Sequence, residues 1–227
     1  MDTAPETSAP DTPLSAVNAA IAKSCKIARR EPDEVTLIAV SKTREAGEIV
    51  PLLQAGHRVF GENRVQEAQA KWPALREAYD GVELHCIGQL QSNKAEDAAA
   101  LFDCIHSLDR TSLLKALAKA FDKTGRRVPC FVQVDIGREP QKGGVPIEEL
   151  SAFLAKAREM DVPVVGLMCL PPSDIEPAPF FALLHKLAHD NGLNQLSMGM
   201  SGDYETAVRL GATHIRVGTA LFGPRAG

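Results

Sequence analysis

Lys42 ends the run Val35-Thr36-Leu37-Ile38-Ala39-Val40-Ser41-Lys42, and no other of the eleven lysines closes so apolar a stretch. A run this rich in β-branched and aliphatic residues fits a strand buried on both faces in a parallel sheet. An unpaired ammonium there is costly. Three arrangements relieve it: the side chain snorkels to the strand's end, a carboxylate pairs with it, or the amine stays neutral and nucleophilic. The third is the chemistry that forms a Schiff base with an aldehyde.

Two glycine-rich segments near the C-terminus could bind an anion. Ser201, in Gly199-Met200-Ser201-Gly202, stands where a helix over 202–210 begins, and Gly218-Thr219-Ala220 could open a short last helix. Backbone N–H groups at helix starts lack intrahelical acceptors and hold phosphates. The plainer reading makes Ser201 an N-cap and Gly218 a turn. Asp203 and Glu205 would repel a phosphate unless their side chains point away. Arg216 lies inside His214-Ile215-Arg216-Val217, in an expected strand rather than at a surface end. A guanidinium stays charged and needs a partner: a barrel carboxylate such as Asp135, or an acceptor atom on a bound ring.

Other combinations carry less. His185 and His189 are four apart, but no Glu follows the first as a zinc hydrolase requires. His85 beside Cys86 reads as a barrel-wall histidine, and Lys142-Gly143-Gly144 lacks the spacing of a nucleotide-binding loop.

The elements that would position these residues alternate. Strand-like runs fall at 35–41, 58–61, 82–87, 103–108, 128–135, 162–169, 195–199 and 213–217, separated by helical patterns near 44–55, 63–79, 93–100, 111–124, 147–160, 177–191 and 202–210. Eight strands alternating with helices predict a (β/α)₈ barrel. An open doubly wound sheet would need fewer strands, and no G-x-G-x-x-G follows the first one. Gly56, Gly125, Gly192 and Gly211 each follow a helical pattern, as C-terminal glycines do. In a barrel the strand C-terminal ends form the functional face, with phosphates bound after strands 7 and 8. Lys42, Gly61-Glu62-Asn63, Gly88 through Lys94, the 199–202 turn and Gly218-Thr219 all fall at that face.

Length and charge set the frame. At 227 residues and 44% hydrophobic content, one domain is expected. Residues 1–13, with three prolines and three carboxylates, predict a disordered tail. The domain then runs over 14–227, opening with an extra helix whose stripe is Leu14, Val17, Ile21, Cys25 and Ala28. A net charge of −4 argues against nucleic acid, and the basic clusters Arg29-Arg30 and Lys123 with Arg126-Arg127 read as solvated helix C-termini. No apolar stretch approaches membrane-spanning length, and no charged segment leads into an apolar one at the start. Five cysteines make an odd set without C-x-x-C spacing, which fits a reducing cytoplasm.

The ordered markers, taken together, resemble the pyridoxal phosphate homeostasis protein family, single-domain relatives of the alanine racemase barrel. They are Ala39-Val40-Ser41-Lys42-Thr43, Phe60-Gly61-Glu62-Asn63 with Gln66-Glu67, His85-Cys86-Ile87-Gly88 leading to Gln91-Ser92-Asn93-Lys94, Gln133-Val134, Lys142-Gly143-Gly144, Gly166-Leu167-Met168, Met198-Gly199-Met200-Ser201 with Asp203, and Ile215-Arg216-Val217-Gly218-Thr219-Ala220 with Phe222-Gly223. The chain departs from the family at Cys86, where an aromatic is common, and over Asp135-Ile136-Gly137-Arg138-Glu139. The resemblance implies pyridoxal 5'-phosphate as cofactor and Lys42 as its Schiff-base lysine. It makes Ser201, Gly218 and Thr219 phosphate contacts, Arg216 the partner of the pyridine nitrogen, Asn63 a neighbour of the ring and Met198 part of the binding segment.

It further implies a monomeric carrier that holds the cofactor and delivers it to apo-enzymes, rather than an enzyme. An arginine at the ring nitrogen weakens the electron sink that transamination and decarboxylation need. The alternative is a small amino-acid racemase. Racemisation asks for a second acid/base opposite the lysine, and the tyrosines available are Tyr79 and Tyr204.

Overall fold

The first apolar run folds as strand β1 (Thr36–Val40), paired in parallel with β2 (Val59–Glu62) on one side and β8 (His214–Val217) on the other. That second pairing closes the sheet. The computed structural model describes residues 12–224. Within them β3 (Glu83–Cys86), β4 (Cys104–Leu108), β5 (Cys130–Gln133), β6 (Val164–Met168) and β7 (Gln195–Met200) complete a closed barrel in sequence order. Helices alternate with the strands: α2 (Ala46–Gln54), α3 (Val65–Ala78), α4 (Ala95–Leu101), α5 (Thr111–Thr124), α6 (Leu150–Glu159), α7 (Ala178–Asp190), α8 (Tyr204–Arg209) and α9 (Thr219–Phe222), after an additional α1 (Pro13–Ala28). This is the expected (β/α)₈ barrel.

Alternation along each strand divides two environments. Leu37, Phe60, Leu84, Ile105, Val132, Leu167, Leu196 and Ile215 face outward and share one core with the helices, which contribute Trp72, Leu117, Phe121 and Phe181. The intervening residues fill the barrel itself: Ile38, His85, His106, Phe131, Met168, Ser197, His214 and Arg216.

Helix punctuation follows the sequence closely. The four glycines expected after helices all have positive φ, and at Gly125 (φ 68°) the amide returns to Phe121 O at 2.9 Å. Two boundaries differ from expectation. Helix α1 starts at Pro13, because Thr12 caps it by accepting the Ser15 amide at 3.1 Å, so the 13/14 boundary falls inside the helix. The rest of the expected tail, residues 1–11, lies outside the described residues. Helix α8 starts at Tyr204 behind Asp203, so Ser201 sits in the preceding turn and is not its N-cap. The basic clusters also do more than meet solvent. Arg30 donates to Val208 O and Ala212 O at 2.9 Å each, and Arg126 to Ala99 O at 2.9 Å, so each binds carbonyls at the end of a neighbouring helix.

All five cysteines are buried and unbridged. Among the described residues, no helix is long and apolar enough to cross a membrane.

Candidate functional site

Lys42 follows β1 by two residues, in a turn at the barrel's C-terminal face. Its neighbours are fixed on both sides. Ser41 donates its amide to Gly61 O at 3.0 Å and its hydroxyl to Glu62 Oε1 at 2.7 Å. Glu62 is fully buried at the end of β2 and also accepts from Trp72 Nε1 at 3.0 Å and pairs with Lys71 Nζ at 2.7 Å. Lys71 in turn donates to Ser41 O and Arg44 O at 2.9 and 3.0 Å. On the other side Thr43 takes φ 61°, a strained value for a β-branched residue, held by its amide donating to Glu67 Oε1 at 2.6 Å. The turn is therefore clamped on either side of the lysine. The clamp was missed in the sequence, although its signal was there: a carboxylate ending a buried strand needs a cation, and Lys71 lies on the next helix.

Lys42 lines a cavity of about 900 Å³, together with Asn63, Gln133, Lys142, Met200, Ser201, Arg216, Gly218 and Thr219. Asn63 is set by a tight approach of the loop after β3: a Cβ on Gly88 would fall 2.5 Å from Asn63 O. Lys142 is tied to Pro171 O at 2.9 Å and Glu139 at 2.7 Å, which brings the Lys-Gly-Gly loop to the cavity wall.

Beside the lysine's strand, which pairs with β8, the turns after β7 and β8 are joined directly. The Gly218 amide donates to Ser201 Oγ at 3.1 Å. Gly218 precedes α9, whose first amides have no intrahelical acceptor. The two acidic residues nearby are accounted for: Glu205 turns along α8 to Arg209 at 3.2 Å, and Asp203 accepts the Met200 amide at 2.6 Å.

Arg216 reaches into the cavity from β8 and is only 4% exposed. It donates Nη1 to Ser197 Oγ at 2.6 Å and Nη2 to Cys169 O at 2.9 Å. The ion pair with Asp135 weighed from sequence does not form, since Asp135 instead accepts the Glu139 amide at 2.8 Å. Burial pushes the guanidinium pKa down, while Cys169 and Asp203 oppose that shift.

Of the expected contacts, Lys42, Asn63, Ser201, Arg216, Gly218 and Thr219 converge on this cavity, and Met198 does not line it. Ser197 points into the barrel, so strand alternation turns Met198 outward into the core, and Met200 takes the place at the cavity. Tyr204 is likewise part of the core rather than this cavity, with burial raising its phenol pKa. Tyr79 ends α3, where the Arg58 guanidinium lies 5.9 Å from its ring. A lysine, a buried guanidinium and the joined turns after β7 and β8 therefore line one cavity.

The family model of the alanine racemase N-terminal domain matches residues 16–226. A pyridoxal phosphate homeostasis protein of Aquifex aeolicus is 38% identical over 222 residues, covering 93% of this chain and 96% of the relative. The protein of that name from Escherichia coli K12 is 36% identical over 209 residues, covering 86% and 88%. Among solved structures, PipY of Synechococcus elongatus with PLP bound superposes with a TM-score of 0.79 at 38% identity, over 89% of this chain and 100% of that one. An alanine racemase of Clostridium difficile shares the fold at 15% identity and a TM-score of 0.68, over 92% of this chain and 56% of the racemase.

Proposed function

The chain belongs to the pyridoxal phosphate homeostasis protein family, and we propose that its cavity binds pyridoxal 5'-phosphate through Lys42, holding the cofactor for delivery rather than for turnover. The observation that carries this reading is the convergence of Lys42, Ser201, Arg216 and Gly218 on one cavity. When bound, the cofactor supplies an aldehyde and an electron-withdrawing ring. Lys42 offers the amine, on a turn that the Glu62–Lys71 pair and Glu67 keep from moving. The Thr219 amide and the Ser201 hydroxyl would receive the phosphate, with Gly218 holding the two turns together through its amide bond to Ser201 Oγ, and Asn63 would border the ring. Arg216 donates to the ring nitrogen. Met198 contributes through the strand that carries Met200 and Ser201, since its own side chain faces the core.

The choice of arginine bears on activity. A guanidinium keeps its proton, so it holds the ring nitrogen as an acceptor without protonating it. Electron withdrawal then stays weak, which suits storage better than carbanion chemistry. The likeness to racemases keeps amino-acid racemisation as the second reading, but that needs an acid/base facing Lys42 across the substrate. Tyr204, the nearer sequence candidate, packs in the core instead. Delivery as a monomer to apo-enzymes in the cytoplasm completes the proposal, and five buried unbridged thiols suit a reducing compartment. Borohydride reduction after loading tests it: the pyridoxyl label belongs on the peptide carrying Lys42. A label spread over surface lysines such as Lys115 and Lys119 would refute the assignment.

A further inference from the structure

The barrel interior is polar where small barrels are usually filled with branched aliphatic side chains. His85, His106 and His214 meet there around Phe131, on which His106 stacks with ring centroids 4.4 Å apart. None of the three lines the cofactor cavity. They nevertheless connect to it. His85 Nδ1 lies 2.9 Å from His106 Nε2, His106 Nδ1 lies 2.8 Å from Ser197 Oγ, and Ser197 Oγ receives Arg216 Nη1 at 2.6 Å. At the far end His85 Nε2 is 3.8 Å from Glu83 Oε2, within ion-pair reach though longer than a hydrogen bond. Glu83 begins β3 at the N-terminal mouth of the barrel, with its side chain 63% exposed. A single file of polar groups therefore joins one mouth to the other.

Donor and acceptor counting gives the file a direction. A guanidinium only donates, so Ser197 Oγ accepts from Arg216. The buried serine hydroxyl then has its own proton to place, and His106 Nδ1 is the acceptor beside it. His106 must in turn carry its proton on Nε2 and donate to His85 Nδ1, which leaves the His85 proton on Nε2, facing Glu83. Burial holds the His106 pKa well below the ordinary imidazole value, with His85, His214 and Arg216 adding to that, so the neutral form fits. His214 is neutral for the same reason and spends Nδ1 on Thr213 Oγ1 at 2.9 Å. Every proton in the file thus points from Arg216 towards Glu83.

This alignment answers a problem of the site. Arg216 is a buried charge whose hydrogen-bond acceptors, Ser197 and the Cys169 carbonyl, are both neutral. Asp203 attracts it from the cavity side, but its Oδ1 is already tied to the Met200 amide. Aligned dipoles that end on a carboxylate polarise one another and make Ser197 a stronger acceptor. We propose that Glu83 serves as a remote counter-ion of Arg216, acting through His85, His106 and Ser197 as positioning residues, and so sets how Arg216 donates to the cofactor ring. The link to the cofactor rests on the function proposed above, whereas the file itself does not.

Nitrogen-15 NMR of the full, ligand-free chain tests the file directly. His85 and His106 are expected as neutral rings protonated on Nε2, and Glu83→Gln should move the Arg216 guanidinium resonances. A proton on His106 Nδ1, or Arg216 resonances unmoved by that change, overturns the proposal. Loading with pyridoxal 5'-phosphate then reads the consequence. Glu83→Gln, a change at an exposed position, should leave thermal unfolding in place, shift the absorbance of the bound cofactor and weaken its binding about fivefold, the low end of couplings between distant sites. Glu83→Asp should restore most of the loss, and adding Glu83→Gln to Ser197→Ala should change nothing further. Equal behaviour of the Gln and Asp variants would also defeat the proposal. Wild-type protein that takes no label at Lys42 would instead sink the functional reading, with the NMR arm still deciding the file.

Discussion

Ser201 Oγ accepts the amide N–H of Gly218 at 3.1 Å, so the turn after β7 and the start of α9 form one unit rather than two. The serine keeps its hydroxyl proton for a phosphate oxygen while it aligns the backbone that supplies the other donors. Replacing Ser201 by alanine removes both roles and should weaken pyridoxal 5'-phosphate binding by roughly 0.5–2 kcal/mol, the range for one to two hydrogen bonds. Pyridoxal, without the phosphate, should bind nearly as before. Equilibrium titration with both ligands distinguishes this from a folding defect, which would weaken the two alike.

The clamp behind Lys42 makes a different demand. Glu62 is fully buried and its Oε1 gathers Ser41, Trp72 and Lys71. Lys71→Met leaves that carboxylate without its cation, a change that typically costs about 3–5 kcal/mol. Chemical denaturation should show a loss of that size, and labelling of Lys42 should become slower because its turn is released. A Lys71→Met/Glu62→Gln double variant removes the charge along with its partner and should recover much of the stability. Failure to recover would mean that packing around Trp72, rather than the ion pair, dominates.

What was legible in the sequence, and what was not, follows from the range of each signal. Apolar period and glycine punctuation are local, so the eight strands and the helix ends at Gly56, Gly125, Gly192 and Gly211 could be read directly. Lys42 and Arg216 stood out because a charge is uncomfortable where each pattern placed it, and Ser201 because it lies in a glycine-rich turn after an expected strand. The serine's role was harder to read: a cap and a phosphate contact look alike until Tyr204 is seen to start the helix. Met198 failed by a single step of strand alternation, since the bulged end of β7 brings Met200 rather than Met198 to the cavity. The partners of Arg216 were invisible because Ser197 on β7 and the Cys169 carbonyl just past β6 are neutral groups, and neutral acceptors leave no charge pattern to search for.

The buried imidazoles make stability depend on acid. Burial, chiefly, pushes the His214 pKa from its ordinary 6.5 down to about 3, and it pushes His106 down as well. Between those values the unfolded chain binds protons that the folded chain refuses, so folding stability is complete above about pH 6.5 and falls as the pH drops towards 3. Thermal unfolding followed from pH 7 to pH 4 should show a falling Tm whose slope is reduced in His214→Gln. An identical slope in that variant would place the acid sensitivity elsewhere.

Arg216 and the burial of Tyr204 together predict almost no turnover. A permanently protonated guanidinium cannot pass a proton to the ring nitrogen, so the α-carbon of a bound amino acid gains little acidity. Lys42 addresses one face of that carbon, and the tyrosine that could address the other is packed in the core. L- and D-amino acids offered to the loaded protein should therefore exchange their α-protons into deuterated water far more slowly than the enzyme median of about 10 per second, with enantiomer ratios unchanged. Rates approaching that median would favour the racemase reading. In that case Tyr204→Phe becomes decisive: loss of exchange from one enantiomer alone would show that the phenol leaves the core to act as the second base. Exchange that survives the substitution would point to water or another cavity group.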